Sequence, residues 1–156
     1  MNLKLIPISE HNYNQAKELH ISQAQLGSVE TVEECLKEAQ TFSLWKPVMI
    51  VDGDVPIGFA MYGQWINEGE CGRVWLDRFF IDEHYQGKGY AKQVLLLLIN
   101  KIYLEYNCDE IYLSVYASNQ VAIKIYESLG FAFNGELDIN KEKVMVLKGK
   151  PSSNIT

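Results

Sequence analysis

The chain has 156 residues, 47% of them hydrophobic and 22% charged, which suits one folded domain with its own core. A net charge of −6 argues against a general nucleic-acid binder, which needs a basic face, and leaves carboxylates available for cationic ligands. Cys35, Cys71 and Cys108 are scattered and not spaced as metal ligands, so reduced thiols in a cytoplasmic protein are expected and no metal site. No stretch has the apolar length of a signal peptide or a membrane span.

The first half of the sequence predicts a strand, two helices and a β-hairpin. LKLIPI (3–8) is the first strand, and a helical pattern runs from about Asn12 to Leu26. A second helix opens at Thr31, and Glu34 three residues later completes a capping box. Two apolar runs around Asp52-Gly53-Asp54 predict the hairpin over 47–63.

The second half alternates strands and helices. A strand over 73–82 is followed by the turn YQGKGYA (85–91) and by a helix whose apolar positions recur at three and four: Ala91, Val94, Leu95, Leu98, Ile99, Ile102 and Tyr103. After a strand over 110–116, a second helix has Asn119 as N-cap, Gly130 after its end, and an inner face of Ala122, Ile125, Tyr126 and Leu129. Strands over 131–137 and 143–147 and a polar tail from residue 149 complete one domain over 1–148. This order predicts an α/β or α+β fold with a mixed sheet.

The turn at 85–91 can serve as an anion cradle or as a tight turn without function. Gly87 and Gly89 lie where the strand gives way to the helix, so backbone N–H groups and the helix dipole can converge on a phosphate. Lys88 and Lys92 strengthen this interpretation. A Walker loop is absent, and the dinucleotide fingerprint fails because Lys92 replaces its third glycine.

Two motifs resemble those of the GNAT acetyltransferase superfamily. Gln86-x-x-Gly89-x-Ala91 resembles its pyrophosphate loop, and ASNQVAIKIYESLGF (117–131) resembles its second cofactor segment, with an Asn opening a helix and a Tyr-x-x-x-Gly-Phe close. Segments 19–36, 72–92 and 130–146 are further similar to bacterial spermine/spermidine (diamine) acetyltransferases. The resemblance implies a mostly antiparallel central sheet with a splayed strand pair, flanked by helices.

The resemblance also implies acetyl-CoA as cofactor and CoA as product. The strand before the turn would pair with pantetheine through its backbone, and the amides from Gly87 to Lys92 would hold the pyrophosphate. The expected cofactor-binding residues are Phe79, Phe80, Ile81, Gln86, Gly87, Lys88, Gly89, Tyr90, Ala91, Lys92 and Asn119. A plain strand core at 79–81 is compatible with this role, because the ligand would use backbone groups alone.

Acetyl transfer needs a neutral amine and a proton for the leaving thiolate. An aliphatic amine has a pKa of ~10 and arrives as ammonium at neutral pH. Tyr126 falls at the family's general-acid position, although its spacing also suits a core aromatic. Asp77 lies where related polyamine enzymes place an acidic residue and could accept a proton directly or through water; a salt bridge to Arg73 or Arg78 is the alternative. His84 is expected at the surface.

A polyamine with several separated charges would be selected by carboxylates, here Glu30, Glu33, Glu34, Glu136 and Asp138, with Trp75 or Tyr62 adding a cation–π contact. For any single one of these carboxylates, a solvated surface group is the favoured interpretation. The expected partner is thus a small polyamine, and a homodimer is possible. Binding to nucleic acid or to a membrane is not expected. Two other functions stay open: an N-terminal α-amine acetyltransferase, against which Ser114 stands where a catalytic Glu is expected, and a non-catalytic CoA-binding module.

Overall fold

The computed structural model describes residues 1–20, 31–68 and 72–149. Its elements in chain order are β1 (Leu3–Pro7), α1 (Tyr13–Lys17), α2 (Val32–Thr41), β2 (Lys46–Asp52), β3 (Val55–Trp65), β4 (Arg73–Ile81), a 3₁₀ turn (Glu83–Tyr85), α3 (Tyr90–Tyr106), β5 (Glu110–Val115), α4 (Gln120–Ser128), β6 (Ala132–Leu137) and β7 (Lys143–Lys148). Among the helices in these ranges, none combines the length and the apolar character needed to span a bilayer.

The seven strands form one sheet in the order β1-β2-β3-β4-β5-β7-β6. The β1–β2, β2–β3, β5–β7 and β6–β7 pairs are antiparallel, whereas β4 and β5 are parallel. The β4–β5 ladder consists of a single pair, Trp75 with Tyr112, so these two strands are splayed. The predicted mixed, mostly antiparallel sheet with a splayed strand pair and flanking helices is therefore confirmed.

The chain divides into two compact units, the first comprising Met1–Gly63 and Asp77–Val94. The core of this unit is built on the β2–β3 hairpin, where Ile50, Ile57 and Phe59 are fully buried. The ring of Phe59 packs against that of Phe80 with centroids 5.9 Å apart. Gly58 permits this close packing, because a Cβ at that position would lie 2.6 Å from the carbonyl oxygen of Phe80.

The second unit comprises Gln64–Leu76 and Leu95–Thr156. Its core includes the apolar face of α3 from Leu95 onward and the alternate residues Ile111, Leu113 and Val115 of β5. The hydroxyl of Tyr103 donates hydrogen bonds to the carbonyl oxygens of Leu147 and Gly149, which ties α3 to the end of β7. The helical periodicity predicted for α3 is confirmed, since its apolar positions from Val94 to Tyr103 are buried.

Two helices differ from the sequence-based expectation. The helix predicted from Asn12 to Leu26 contains α1, which ends at Lys17, and the part beyond residue 20 lies outside the described residues. In α4 the buried residue is Ile123, whereas the predicted inner face of Ala122, Ile125, Tyr126 and Leu129 is half-buried. The predicted apolar residues of this short helix are thus only partly shielded from solvent, and the most buried position is the one next to them, Ile123.

Candidate active site

The turn between β4 and α3 leaves open space in front of both glycines. Gly87 and Gly89 adopt φ values of 77° and 82°, a left-handed conformation that favours glycine. A Cβ built on either residue meets no atom within 4 Å. The glycines are exposed, and α3 begins immediately after them at Tyr90. Its first-turn N–H groups lack partners within the helix, so they are available to an anion in this space.

Side chains on both flanks fix the ends of this turn. The amide nitrogen Nε2 of Gln86 donates to the carbonyl oxygen of Ile81 at 2.8 Å, which closes the chain onto the end of β4. The hydroxyl of Tyr90 donates to Oδ2 of Asp52 at 2.7 Å, while the Asn2 N–H donates to Oδ1 at 2.7 Å. The hydrogen bond from Tyr90, followed by that from Asn2, lowers the pKa of Asp52 below its ordinary value.

The side chains of the remaining expected cofactor residues are either in the strand core or exposed to solvent. Phe80 and Ile81 are buried and Phe79 is half-buried, so their side chains belong to the strand core. Lys88 and Lys92 are exposed, and the Lys88 ammonium lies 5.5 Å from the centroid of the Tyr85 ring. The turn therefore carries two exposed cations beside a set of backbone donors.

Tyr126 lies in α4 with its ring edge-on to Phe131, at a centroid distance of 5.8 Å. Burial raises the pKa of the Tyr126 phenol to about 12. Within residues 1–20, 31–68 and 72–149 its hydroxyl has no hydrogen-bond partner. Asn119 begins this helix, as predicted, by accepting the Ala122 N–H at 3.3 Å.

Asp77 is half-buried in β4 and forms an ion pair with its neighbour. Its Oδ2 lies 2.9 Å from Nη1 of Arg78, which also donates to the Asp77 carbonyl oxygen at 2.8 Å. Of the two salt-bridge partners considered from the sequence, Arg78 is the one observed. The catalytic role of Asp77 stays a prediction.

The expected substrate carboxylates fall into different environments. Glu33 and Glu34 are exposed in the first turn of α2, where the Glu34 N–H donates to Oγ1 of Thr31 and so confirms that N-cap. Glu136 is instead engaged by both terminal nitrogens of Arg73, each at 2.9 Å, and this hydrogen-bonded pairing lowers its pKa. Glu30 lies outside the described residues.

Three other candidates also have defined surroundings. Trp75 is half-buried with its ring 5.4 Å from that of Tyr112, and it retains some exposed surface for a cation. Tyr62 is only 1% exposed, so its ring offers no such surface. The carboxylate of Asp138 accepts the N–H groups of Asn140 and Glu142, at 2.9 Å and 2.8 Å, and so stabilises a turn.

Sequence reasoning missed Asp82, a carboxylate that is only 4% exposed. Its two oxygens accept the backbone N–H groups of His20 and His84, at 2.8 Å and 2.9 Å, and its Oδ1 lies 2.8 Å from Nδ1 of His84. Burial opposes its ionisation, but these hydrogen bonds prevail and hold its pKa below the ordinary value. The available signal was an Asp directly after an apolar strand and before a turn.

These observations fit acetyl-CoA. A pyrophosphate is commonly held by the N–H groups at a helix N-terminus with cations nearby, and the turn over 86–92 offers open space, exposed lysines and the first turn of α3. Gln86 to Lys92 would hold this group, and the backbone of β4 from Phe79 to Ile81 would lie alongside the pantetheine. When bound, acetyl-CoA supplies an activated acetyl thioester.

The chain belongs to the acetyltransferase (GNAT) family, whose model matches residues 13–131. It is accordingly an acetyltransferase that uses acetyl-CoA, as the two motifs implied.

Two relatives from *Bacillus subtilis* align over nearly the whole chain. The spermine/spermidine N(1)-acetyltransferase of strain 168 is 45% identical over 150 residues, covering 94% of this chain and 98% of the relative. The probable spermine N(1)-acetyltransferase of subspecies natto has the same identity and coverage. Among solved structures, spermidine N-acetyltransferase from *Vibrio cholerae* in complex with CoA and spermine has a TM-score of 0.72 and 20% identity, covering 96% of this chain and 97% of that one. This last similarity supports the fold.

Proposed function

We propose that the protein transfers the acetyl group of acetyl-CoA to a primary amine of a polyamine such as spermidine or spermine. The observation that carries the proposal is the 45% identity, over 94% of the chain, to a relative named spermine/spermidine N(1)-acetyltransferase. The net charge of −6 agrees with a substrate that carries several positive charges.

The reaction forms a C–N bond and breaks the C–S bond of the thioester. The ammonium of the substrate must first lose a proton, and we assign its acceptance to Asp77, directly or through a water. Nη1 of Arg78 lies within ion-pair distance, 2.9 Å, of this carboxylate. The leaving thiolate must then gain a proton, and we assign its donation to the hydroxyl of Tyr126.

The state of Tyr126 suits this assignment. With a pKa of about 12, the phenol carries its proton throughout the neutral and moderately alkaline range. A group that is protonated before the reaction can donate its proton in every turnover, and the raised pKa lowers the driving force for each donation. Deprotonation of Tyr126 should therefore cause no loss of activity up to a pH of about 11, one unit below that pKa.

The acidic candidates differ in the charge they can offer to an amine. Glu33 and Glu34 are exposed, whereas the charge of Glu136 is balanced by Arg73. We therefore assign amine selection mainly to Glu33 and Glu34, together with Glu30 by its position in the sequence. The exposed part of the Trp75 ring could add a cation–π contact.

Three broader features belong to the same proposal. We propose that residues 1–148 work as one acetyltransferase domain, that the protein is cytoplasmic, and that it forms a homodimer. The location is supported by the scattered spacing of Cys35, Cys71 and Cys108, which predicts reduced thiols. The dimer is supported by the resemblance to an enzyme family in which dimers are common.

A panel of amines tests this function. With acetyl-CoA at saturation and release of free CoA as readout, spermidine should give a higher kcat/KM than putrescine, and putrescine a higher value than butylamine. The advantage of spermidine should shrink as ionic strength rises to about 0.5 M, because salt screens the attraction between carboxylates and ammonium groups.

Two variants sharpen the assay. Replacing Glu33 and Glu34 together by Gln should lower kcat/KM for spermidine more than it lowers kcat/KM for butylamine. As a control, Glu10→Gln removes one exposed charge elsewhere and should leave kcat/KM unchanged for both amines. If butylamine matched spermidine at low salt, the polyamine assignment would be wrong. Binding of CoA without release of CoA from acetyl-CoA in the presence of any amine would identify a CoA-binding module without transferase activity.

A further inference from the structure

Asp52 is bound by two parts of the chain that are distant from it in the sequence. It lies at the end of β2, and its Oδ2 accepts the hydroxyl of Tyr90 at 2.7 Å, across 38 positions of the sequence. Its Oδ1 accepts the N–H of Asn2 at 2.7 Å, and the Gly53 N–H donates to the Asn2 carbonyl oxygen at 2.8 Å. The Asn2 contacts thus hold this carboxylate at the end of the β1–β2 ladder, and Tyr90 binds to its other oxygen.

The turn over 86–89 depends on such an attachment. Its four residues are all exposed, and Tyr90 is the first residue after them that is half-buried. Gly87 and Gly89 both have a positive φ, and glycine can change the sign of φ at little steric cost. The backbone of this turn is therefore ordered mainly by the contacts at its two ends. The side chain of Gln86 holds one end to the last residue of β4, and the Tyr90 hydroxyl holds the other end to the carboxylate described above.

We propose that Asp52 is a positioning residue for acetyl-CoA, which acts through Tyr90 to keep the turn over 86–89 in the conformation that binds the pyrophosphate. A hydrogen bond from a hydroxyl to a carboxylate is among the strong ones, and this one fixes the first residue of α3. A site that is ordered in advance loses less entropy when its ligand binds, so its affinity is higher. The inference rests on the proposed function in one respect, the binding of pyrophosphate by this turn, and does not depend on which amine is acetylated.

Asp52→Ala separates this role from a simple effect of charge. Removal of a carboxylate near an anion site would by itself tighten anion binding, because a like charge is lost. Loss of the attachment should instead weaken CoA binding about three- to tenfold, because more of the turn must be ordered when CoA binds. Asp54→Ala is the matched control, since Asp54 is an exposed carboxylate in the same turn, and CoA should bind this variant at least as tightly as the wild type. Calorimetry measures both dissociation constants, and wild-type or tighter binding in Asp52→Ala would overturn the proposal.

A double-mutant cycle with Tyr90→Phe tests whether the hydrogen bond itself is the cause. Phenylalanine keeps the ring and removes only the hydroxyl that donates to Asp52. Each single variant should weaken CoA binding, and the double variant should bind CoA no more weakly than the weaker of the two. If the Tyr90 hydroxyl contacted the cofactor directly, its loss would weaken binding further in the Asp52→Ala background. Losses that add up in the double variant would therefore overturn the proposal.

A cofactor without phosphate groups distinguishes positioning of the turn from a general loosening of the fold. S-acetylpantetheine carries the same thioester as acetyl-CoA but has no pyrophosphate. With spermidine as acceptor, Asp52→Ala should lower kcat/KM for acetyl-CoA and leave kcat/KM for S-acetylpantetheine unchanged. An equal loss with both thioesters would overturn the proposal. Calorimetry with CoA needs no amine, so if the wild-type protein failed to acetylate spermidine while the cycle behaved as expected, the proposed substrate alone would be wrong.

Discussion

Tyr126→Phe is expected to lower kcat by about 10²- to 10⁴-fold, the usual contribution of a general acid, with little change in acetyl-CoA affinity. The ring and its edge-on contact with Phe131 remain, so only the proton and its hydrogen bond are lost. Single-turnover rates should be compared, because slow product release would otherwise mask the loss of the chemical step.

Tyr103, a buried tyrosine of the same unit, serves as control. Burial also raises the pKa of Tyr103 to about 12, but its hydroxyl is bound to backbone carbonyl oxygens. Tyr103→Phe should therefore cost about 1 kcal/mol of unfolding free energy and leave the single-turnover rate unchanged. A wild-type rate in Tyr126→Phe would return Tyr126 to the role of a core aromatic.

Gly89→Asp should weaken acetyl-CoA binding by on the order of ten- to several-hundred-fold. The new carboxylate would extend into the open space in front of the turn, where we place the pyrophosphate. Two unit charges 4 Å apart repel by about 1 kcal/mol in water and about 4 kcal/mol near a protein surface. Calorimetric titration with acetyl-CoA or CoA measures the loss, and each 1.4 kcal/mol corresponds to about tenfold.

Gly135 offers a matched control in β6. It also has a positive φ, 91°, and a Cβ there likewise meets no atom within 4 Å. Gly135→Asp therefore adds the same charge and a similar left-handed backbone strain, roughly 1–2 kcal/mol, in a strand that is not part of the cofactor turn. Its acetyl-CoA affinity should match the wild type. An equal loss in both variants would show that strain, and not the position of the phosphate, causes the effect at Gly89.

The sequence predicted the framework of the fold because its signals there are local. The hairpin turn, the apolar period of α3 and the caps at Thr31 and Asn119 each depend on residues within a few positions of one another. All four were confirmed. The glycine turn was found by the same local logic, and its positive φ values explain why glycine is needed there.

Contacts between distant positions could not be predicted in the same way. The pairing of Arg73 with Glu136 spans 63 residues, and nothing in either segment marks the other as its partner. The buried state of Asp82 depends likewise on His20, 62 residues away. The prediction of which face of α4 is buried was wrong for a related reason. The apolar residues that become buried depend on the elements that pack against the helix, and these come from distant parts of the sequence.

The role assigned to Tyr126 rests neither on a local sequence signal nor on a contact between distant positions. Periodicity alone favoured a core aromatic, and the resemblance to the acetyltransferase family supplied the catalytic assignment. The structure adds a phenol that is protonated, with a pKa of about 12, and whose hydroxyl has no partner in the described part of the chain. These properties are compatible with an acid, and the variant above decides the role.

The central claim is most directly tested by following an acetyl label from acetyl-CoA into the amine. The wild-type protein is incubated with spermidine and acetyl-CoA labelled in the acetyl group, and the products are separated and identified by mass spectrometry. We expect labelled N-acetylspermidine and unlabelled free CoA to appear in equal amounts, and neither product to appear when the protein is omitted. Free CoA accompanied by labelled acetate and no labelled spermidine would contradict the account.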